Sequence, residues 1–275
     1  MIPLNNVILS VNERAAYQTD SGIFLRADLG MAYDNIIQHG VVHATPKNNG
    51  LDVGDKVWFH HLLRDDDMSN VKQKEYNWDI DGVDNKAYVC PKELNGVGWH
   101  NRLLAKEKDG KLTALFGNTV AEYLLKEKSS ELEVMDREEK HLFNVIDSDA
   151  GFSGKIIIRQ DTDYPIEVNG KETAFIRPEH IVGTYNGDSP QPKEGFTFIE
   201  PIDEGGWSHN GIIWVAHKRT IPKGVGRVIS TTSKHLKEGD EVYYLKIGFS
   251  RIKLENEEAF YAMSNSKILA KNVSE

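Results

Sequence analysis

The feature that most constrains this chain is an ordered set of short β-type runs that occurs three times in 275 residues. It is clearest between Gly195 and Lys271. There the runs Phe196–Glu200, Gly226–Ser230, Glu241–Leu245 and Ala259–Met263 are rich in Val, Ile, Phe and Tyr, and Gly, Pro, Asn or Asp bound them. A long polar loop follows the first run and holds one apolar island, Ile212-Ile213-Trp214-Val215. A short run, Ile268-Leu269-Ala270, closes the unit. The order is strand, long loop with island, Gly-x-Val strand, Gly-Asp turn, strand, hairpin, strand, apolar close.

The same order recurs twice upstream, and a recurrence of this length organises the reading of everything else. The first copy opens on Asn6-Val7-Ile8-Leu9-Ser10 and carries an island after Gly22. It continues through Gly40-Val41-Val42 and the turn Gly54-Asp55 into Lys56-Val57-Trp58-Phe59, and closes on Leu103-Leu104-Ala105-Lys106. The second opens on Asn118-Thr119-Val120-Ala121-Glu122 and passes a charged loop, Lys126 to Lys140. It resumes at Leu142-Phe143-Asn144, turns at Gly154 into Lys155-Ile156-Ile157-Ile158, and closes on Ile181-Val182-Gly183-Thr184. The openings align as NVILS, NTVAE and FTFIE, the hairpins as IDGVDNKAYV, VNGKETAFI and LENEEAFYA. This predicts three domains: 1–110 with a polar insertion at 64–78, then 111–188, then 189–275. Linkers are expected near Lys108–Leu112 and Tyr185–Glu194. A single large β-sandwich with ordinary turn spacing is the alternative.

Short strands with alternating faces can close into a small barrel, which removes exposed edges. On such a strand Val57 and Phe59 face one way and Trp58 the other. Gly54-Asp55 and Gly239-Asp240 predict tight turns in which Gly supplies a positive φ; the second copy has Ser153-Gly154-Lys155 there and lacks the Asp. The one helix candidate, Val120 to Arg137, reads better as a strand followed by a charged loop. The expected fold class is all-β.

Composition narrows the partners. A net charge of -9 argues against nucleic acid or an anionic membrane. No run approaches the roughly 18–20 apolar residues that span a bilayer. The N-terminal stretch lacks a basic region and a long apolar core, so it reads as a strand rather than a signal peptide. The single cysteine, Cys90, excludes an intramolecular disulfide and fits a reducing compartment such as the cytoplasm. With no His or Cys near it, Cys90 reads as a core or surface thiol. His60-His61 lie near Asp65-Asp66-Asp67, but neighbouring residues on a strand face opposite ways and cannot easily share one ion. Gly224-Val225-Gly226 lacks the third glycine of a dinucleotide fingerprint and leads into a β-type run, not a helix.

The stretch Gly195–Lys271 resembles the small co-chaperonin family (chaperonin-10, GroES type). The most specific residues are Leu236-Lys237-Glu238-Gly239-Asp240-Glu241-Val242, followed by Glu257 to Met263 and Ile268-Leu269-Ala270. The resemblance implies three tandem GroES-like small β-barrel domains. In that family the loop after the first strand is mobile when free. It carries a Gly and an apolar tripeptide that inserts into a groove on a large chaperonin's apical domain. By position, the matching residues are Ile23, Phe24 and Leu25 after Gly22, and Ile212, Ile213 and Trp214 after Gly211. The residues alone leave open whether each island docks or is an ordinary strand in its own core. In the second copy Leu132-Glu133-Val134-Met135 lacks the Gly and carries an acidic residue, so that loop is expected to be structural.

The connections Thr45–Leu51 and Thr231–Leu236 leave no room for the roof hairpin of bacterial members, and viral co-chaperonins tend to lack one. The catalytic domain of medium-chain alcohol dehydrogenases shares the fold. Those enzymes need a nucleotide-binding domain and Cys/His zinc ligands that have no counterpart in this sequence. The expectation is a non-enzyme with no catalytic residues, metal or cofactor. It would be a homo-oligomer that docks on a large chaperonin (GroEL type) in the cytoplasm, the host's if the source is viral. The alternative is a structural or assembly protein, a viral virion or head component that reuses the fold. Three units per chain do not divide the seven-fold ring of bacterial-type chaperonins, which favours that alternative. Burying three apolar side chains gains on the order of 5–8 kcal/mol. Ordering a mobile loop costs about as much. Several loops on one ring can raise avidity by roughly 10²–10⁴.

Overall fold

The structure is a computed structural model. It describes residues 6–12, 16–18, 24–26, 38–60, 78–79, 85–91, 93–94, 97–98, 102–124, 141–159, 162–187, 189–202, 208–209, 212–213, 223–252, 254 and 259–272. Among these the chain is all-β. The first stretch contains β1 (Asn6–Asn12), β2 (Ala16–Gln18), β3 (Phe24–Arg26), β4 (His39–Ala44), β5 (Lys56–Phe59), β6 (Trp78–Asp79), β7 (Asn85–Pro91), β8 (Glu93–Leu94), β9 (Val97–Gly98), β10 (Leu103–Lys108) and β11 (Lys111–Ala114). The middle contains β12 (Thr119–Tyr123), β13 (Leu142–Ser148), β14 (Lys155–Ile158), β15 (Tyr164–Val168), β16 (Lys171–Ile176), β17 (Ile181–Tyr185) and β18 (Pro190–Pro192). The last contains β19 (Phe196–Pro201), β20 (Ser208–His209), β21 (Ile212–Ile213), β22 (Lys223–Thr231), β23 (Glu241–Leu245), β24 (Ser250–Ile252), β25 (Phe260–Ser264) and β26 (Ile268–Lys271). Single 3₁₀ turns at Pro178–His180 and Asn265–Lys267 lead into β17 and β26.

Three large antiparallel sheets share one strand order. The first runs β11-β10-β5-β4-β1-β7-β6, the second β18-β17-β14-β13-β12-β16-β15, and the third β26-β23-β22-β19-β25-β24. The sequence-level repeat is therefore a topological one, and β1, β12 and β19 hold the same place. Fine details repeat as well. The register between the opening strand and its Gly strand shifts between Ile8 and Leu9 in the first sheet, and between Phe198 and Ile199 in the third. In the closing strands an extra residue sits at Leu104, Val182 and Leu269. These follow from the pairings Leu103↔Phe59 and Ala105↔Trp58, Ile181↔Ile158 and Gly183↔Ile157, and Ile268↔Tyr244 and Ala270↔Tyr243. Such a bulge puts two consecutive residues where a regular strand has one, and it increases the local twist.

The Gly-Asp turns form as expected. Gly54 and Gly239 have φ of 96° and 85°, a region glycine enters without steric cost. The Asp55 and Asp240 carboxylates accept from the backbone N–H of Asp52 and Lys237, each at 2.9 Å. The backbone of both turns exchanges bonds with Val42 and Val228 at 2.8–2.9 Å. At Gly40 an added Cβ would lie 2.9 Å from the Ser10 carbonyl, and at Gly226 it would lie 2.7 Å from the Glu200 carbonyl. These two glycines therefore hold equivalent positions where opening strand and Gly strand approach closely.

The chain divides into two compact units, Met1–Glu122, Val145–Phe152 and Tyr164–Pro178 in one, Tyr123–Asn144, Ser153–Asp163 and Glu179–Glu275 in the other. In the first unit Val7, Leu9, Val42, Val57, Phe59 and Leu103 form a core on one face of the first sheet. On its other face Trp58, Leu104 and Ala114 pack against Val120, Ile166 and Phe175. In the second unit Ile199, Val228, Val242, Tyr244 and Met263 form the corresponding core. Ile157 and Val182 pack there against Phe198, Ile252, Leu254 and Phe260.

Barrel closure is not observed: among the described residues each large sheet is open, with β11 and β6, β18 and β15, and β26 and β24 as its outermost strands. A barrel closes only when its outermost strands pair with each other, and these do not. On β5, Val57 and Phe59 enter one cluster and Trp58 the other, so the strand is covered on both faces, the second by the β15–β16 hairpin. Both expected linkers hold regular structure, and the first is the turn that Lys108-Asp109-Gly110-Lys111 indicates in the sequence. Lys108–Leu112 is the tight turn of the β10–β11 hairpin, with Asp109 and Gly110 at φ 52° and 74°. Tyr185–Glu194 contains β18, which pairs with β17. The helix candidate begins as β12 over Thr119–Tyr123, and its remainder from 125 on lies outside the described residues.

Candidate functional site

The expected docking residues fall on two small hairpins that leave the sheets at the same topological point, between the opening strand and the Gly strand. Phe24 and Leu25 lie on β3, which pairs with β2 in the register Tyr17↔Leu25 and Gln18↔Phe24. Ile212 and Ile213 lie on β21, which pairs with β20 in the register Ser208↔Ile213 and His209↔Ile212. Each hairpin is a two-stranded sheet of its own, separate from the three large sheets. Ile23 and Trp214 lie outside the described residues, as do the glycines before both islands, most of the insertion 64–78, and Leu132–Met135.

The roots of these loops are anchored. At the first root the Phe59 N–H donates to the Gln38 carbonyl at 2.8 Å, and the Tyr164 hydroxyl donates to Gln38 Oε1 at 2.6 Å. The His60 ring stacks on Tyr164 with centroids 4.0 Å apart. At the middle root the Ile158 N–H donates to the His141 carbonyl at 2.9 Å, the same bond one repeat on. At the third root the Ile202 N–H donates to the Val225 carbonyl at 3.0 Å. There an added Cβ at Gly224 would lie 2.5 Å from the Tyr244 ring.

Beside the first root is a polar cluster that sequence reading did not find. Glu107 accepts from Trp58 Nε1 at 2.9 Å and Asn169 Nδ2 at 3.2 Å, and it pairs with Lys56 Nζ at 2.8 Å. Burial alone would raise the Glu107 carboxyl, but the bonds from Lys56, Trp58 and Asn169 together hold it below its ordinary value. His39 packs edge-on against Trp58, with centroids 5.0 Å apart. Burial, and then the Lys56 charge, lower its pKa. This cluster fixes Trp58 against the β15–β16 hairpin. The only sequence signal for it was the outward position of Trp58.

The other candidates resolve simply. His61 and Asp65–Asp67 lie outside the described residues, and no three His, Cys, Asp or Glu side chains among the described residues are placed to hold a metal ion. Cys90 lies on β7 in register with Val7. Gly224–Gly226 is part of β22, a strand, as its sequence context indicated. No helix among the described residues is long and apolar enough to cross a membrane. In comparisons with known proteins, no family model matches the chain and no curated protein matches it.

Proposed function

We propose that the chain is a non-enzymatic, co-chaperonin-like protein built from three tandem GroES-like units, which docks on a large chaperonin ring in the cytoplasm and assists folding there. The observation that carries the reading is the placement of both apolar islands. Phe24-Leu25 and Ile212-Ile213 sit on small separate hairpins at one topological position of two sheets with the same strand order. Short apolar segments on hairpins of their own suit a groove-shaped partner better than a substrate pocket. Ile23 and Trp214 complete the two segments. Docking by several loops at once compensates for the ordering cost of each.

A pull-down with the host's large chaperonin and nucleotide tests this. The wild-type protein is expected to bind. Phe24→Asp or Ile213→Asp is expected to weaken binding, and the double variant to abolish it, because a carboxylate in an apolar groove costs several kcal/mol, about 2–7 for an unpaired polar group. Failure of the wild type to bind rejects the function. Recovery of the protein in assembled particles instead would assign it to virion structure or assembly.

A further inference from the structure

We propose that His39 makes the contact between the first sheet and the β15–β16 hairpin responsive to pH: the hairpin holds its place over Trp58 while the His39 ring is neutral and loosens when the ring gains a proton. His39 directly follows Gln38, the root of the first island loop, so the same event frees that root. The inference does not rest on chaperonin docking.

The hairpin is held on the first sheet by an apolar middle and a polar bond at each end. In the middle, Ile166, Val168 and Phe175 pack in one cluster with Trp58. At one end the Tyr164 hydroxyl donates to Gln38 Oε1 at 2.6 Å. At the other, Asn169 in the hairpin's turn donates to Glu107 Oε1 at 3.2 Å. His39 sits inside this frame, half-buried, its ring edge-on to Trp58 with centroids 5.0 Å apart. Register shows what the position ordinarily holds. His39 pairs with Trp58 as Leu142 pairs with Ile157 and Val225 with Tyr243. The second and third repeats thus place an aliphatic side chain where the first places a titratable one, and Leu142 packs against the next apolar cluster.

The charges around the ring decide the direction. Among the described residues, Lys56 on β5 opposes a proton on His39 and Glu107 on β10 favours one. Tyr164 stands on the hairpin's side, with the His60 ring stacked on it at 4.0 Å. Lys56 Nζ already lies 5.0 Å over the Trp58 ring and pairs with Glu107 at 2.8 Å. A protonated His39 adds a second cation beside that ring, while the one carboxylate is already bonded to Lys56, Trp58 and Asn169. The charged ring then either stays half-buried without a counter-charge of its own, which is costly, or moves out to solvent and leaves Trp58. Burial first, and Lys56 second, lower the pKa of His39 from its ordinary 6.5. A group whose value is lower folded than unfolded takes up its proton more readily once the contact opens. The contact is therefore at full strength above pH 6.5 and weakens as pH falls from there through the folded value.

The Trp58 Nε1–H is the reporter, because it is bonded to Glu107 at 2.9 Å on a side chain 5% exposed. Its hydrogen exchange in the full chain, corrected for the intrinsic pH dependence, tests the proposal between pH 7.5 and pH 5.5. Glu107 keeps its charge through this window, since its own value lies below 4.5. In the wild type, protection of the Trp58 Nε1–H is expected to fall as pH is lowered. The limit at pH 5.5 is about tenfold, for a ring that stays neutral until the contact opens. His39→Leu, which installs the residue type of the second repeat, is expected to hold its protection across the window. The other histidines are common to both proteins, so the difference between them isolates His39. The His39 ring, followed by nuclear magnetic resonance in the wild type, is expected to titrate below 6.5. If His39→Leu does not fold, the wild type decides alone through that titration and the fall in Trp58 protection. A His39 ring that titrates at 6.5 or above, flat Trp58 protection in the wild type, or an equal fall in wild type and His39→Leu would each overturn the proposal.

Discussion

Glu107 shows how one residue fixes a packing surface. Its carboxylate collects bonds from Lys56, Trp58 and Asn169, and these outweigh the penalty of its burial. A carboxyl with a lower pKa folded than unfolded stabilises the fold above its ordinary value, 4.5 here, and loses that contribution as pH falls through the folded value. Asp240 acts in the same direction, held down first by Lys271 at 2.8 Å. Glu107→Gln should therefore cost about 1–2 kcal/mol at neutral pH, and its urea midpoint should fall less than that of the wild type between pH 7 and pH 3.5. An equal acid-induced fall in the two proteins would show that Glu107 is not held as described. Gly183 gives a steric counterpart. Ala105 and Ala270 occupy its register position, but at Gly183 an added Cβ would lie 2.6 Å from the Phe198 ring and would also strike the Gln191 carbonyl. Neither neighbour is the free end of a flexible chain. Gly183→Ala should cost about 1–3 kcal/mol, seen as a lower denaturation midpoint; an unchanged midpoint would mean that Phe198 can move away.

At the scale of elements, turns and closing strands carry the repeat. Asp55 and Asp240 make the same turn, but Lys106 stands 4.0 Å from Asp55 whereas Lys271 stands 2.8 Å from Asp240. Asp240→Ala should therefore lower the melting temperature more than Asp55→Ala, and the reverse ranking would show that the turn bonds matter more than the ion pair. Much of this level was legible in the sequence. Period-two runs gave the strands, with Phe196–Glu200 observed as Phe196–Pro201, and Gly54 and Gly239 marked their turns. The outward position of Trp58 was legible too. What covers Trp58 was not. A strand apolar on both faces reads the same whether its second face meets its own barrel or the next repeat. The adjacent apolar pairs Leu103-Leu104, Ile181-Val182 and Ile268-Leu269 were the available sign of a bulge facing a neighbour, but period-two reading treats them as noise. Likewise Pro190-Gln191-Pro192 reads as a linker because proline cannot donate to a ladder. On an outermost strand that missing donor is tolerated, and β18 occupies such a place. The islands read in the sequence as parts of long loops, and nothing there hinted that Phe24, Leu25, Ile212 and Ile213 sit on short strands of separate two-stranded sheets.

At the scale of the molecule, the repeats are not independent. In an array of this kind, stability is approximately a sum of repeat terms and nearest-neighbour interfaces. The segment 189–275 contains the whole third sheet and its core of Ile199, Val228, Val242, Tyr244 and Met263. In the full chain Phe198, Ile252, Leu254 and Phe260 are also buried, each 3% exposed or less, against Ile157 and Val182 of the preceding repeat. Cutting at 189 uncovers that surface. At about 1.5–3 kcal/mol for fully burying a large apolar side chain, and with each of the four side chains only partly uncovered, the cost is on the order of 5 kcal/mol. That is a large share of the roughly 5–15 kcal/mol by which a domain is stable. The 189–275 fragment should therefore unfold at a clearly lower urea concentration than the third sheet does within the intact chain, as followed by hydrogen exchange at Val242 and Tyr244. It should also bind more of a hydrophobic dye per molecule than the full chain does. Phe260→Ser in the fragment should reduce dye binding. If the fragment is as stable as the intact third sheet and ignores the dye, the packing of Phe198 and Phe260 against Ile157 and Val182 contributes nothing, and the repeats are beads rather than an array.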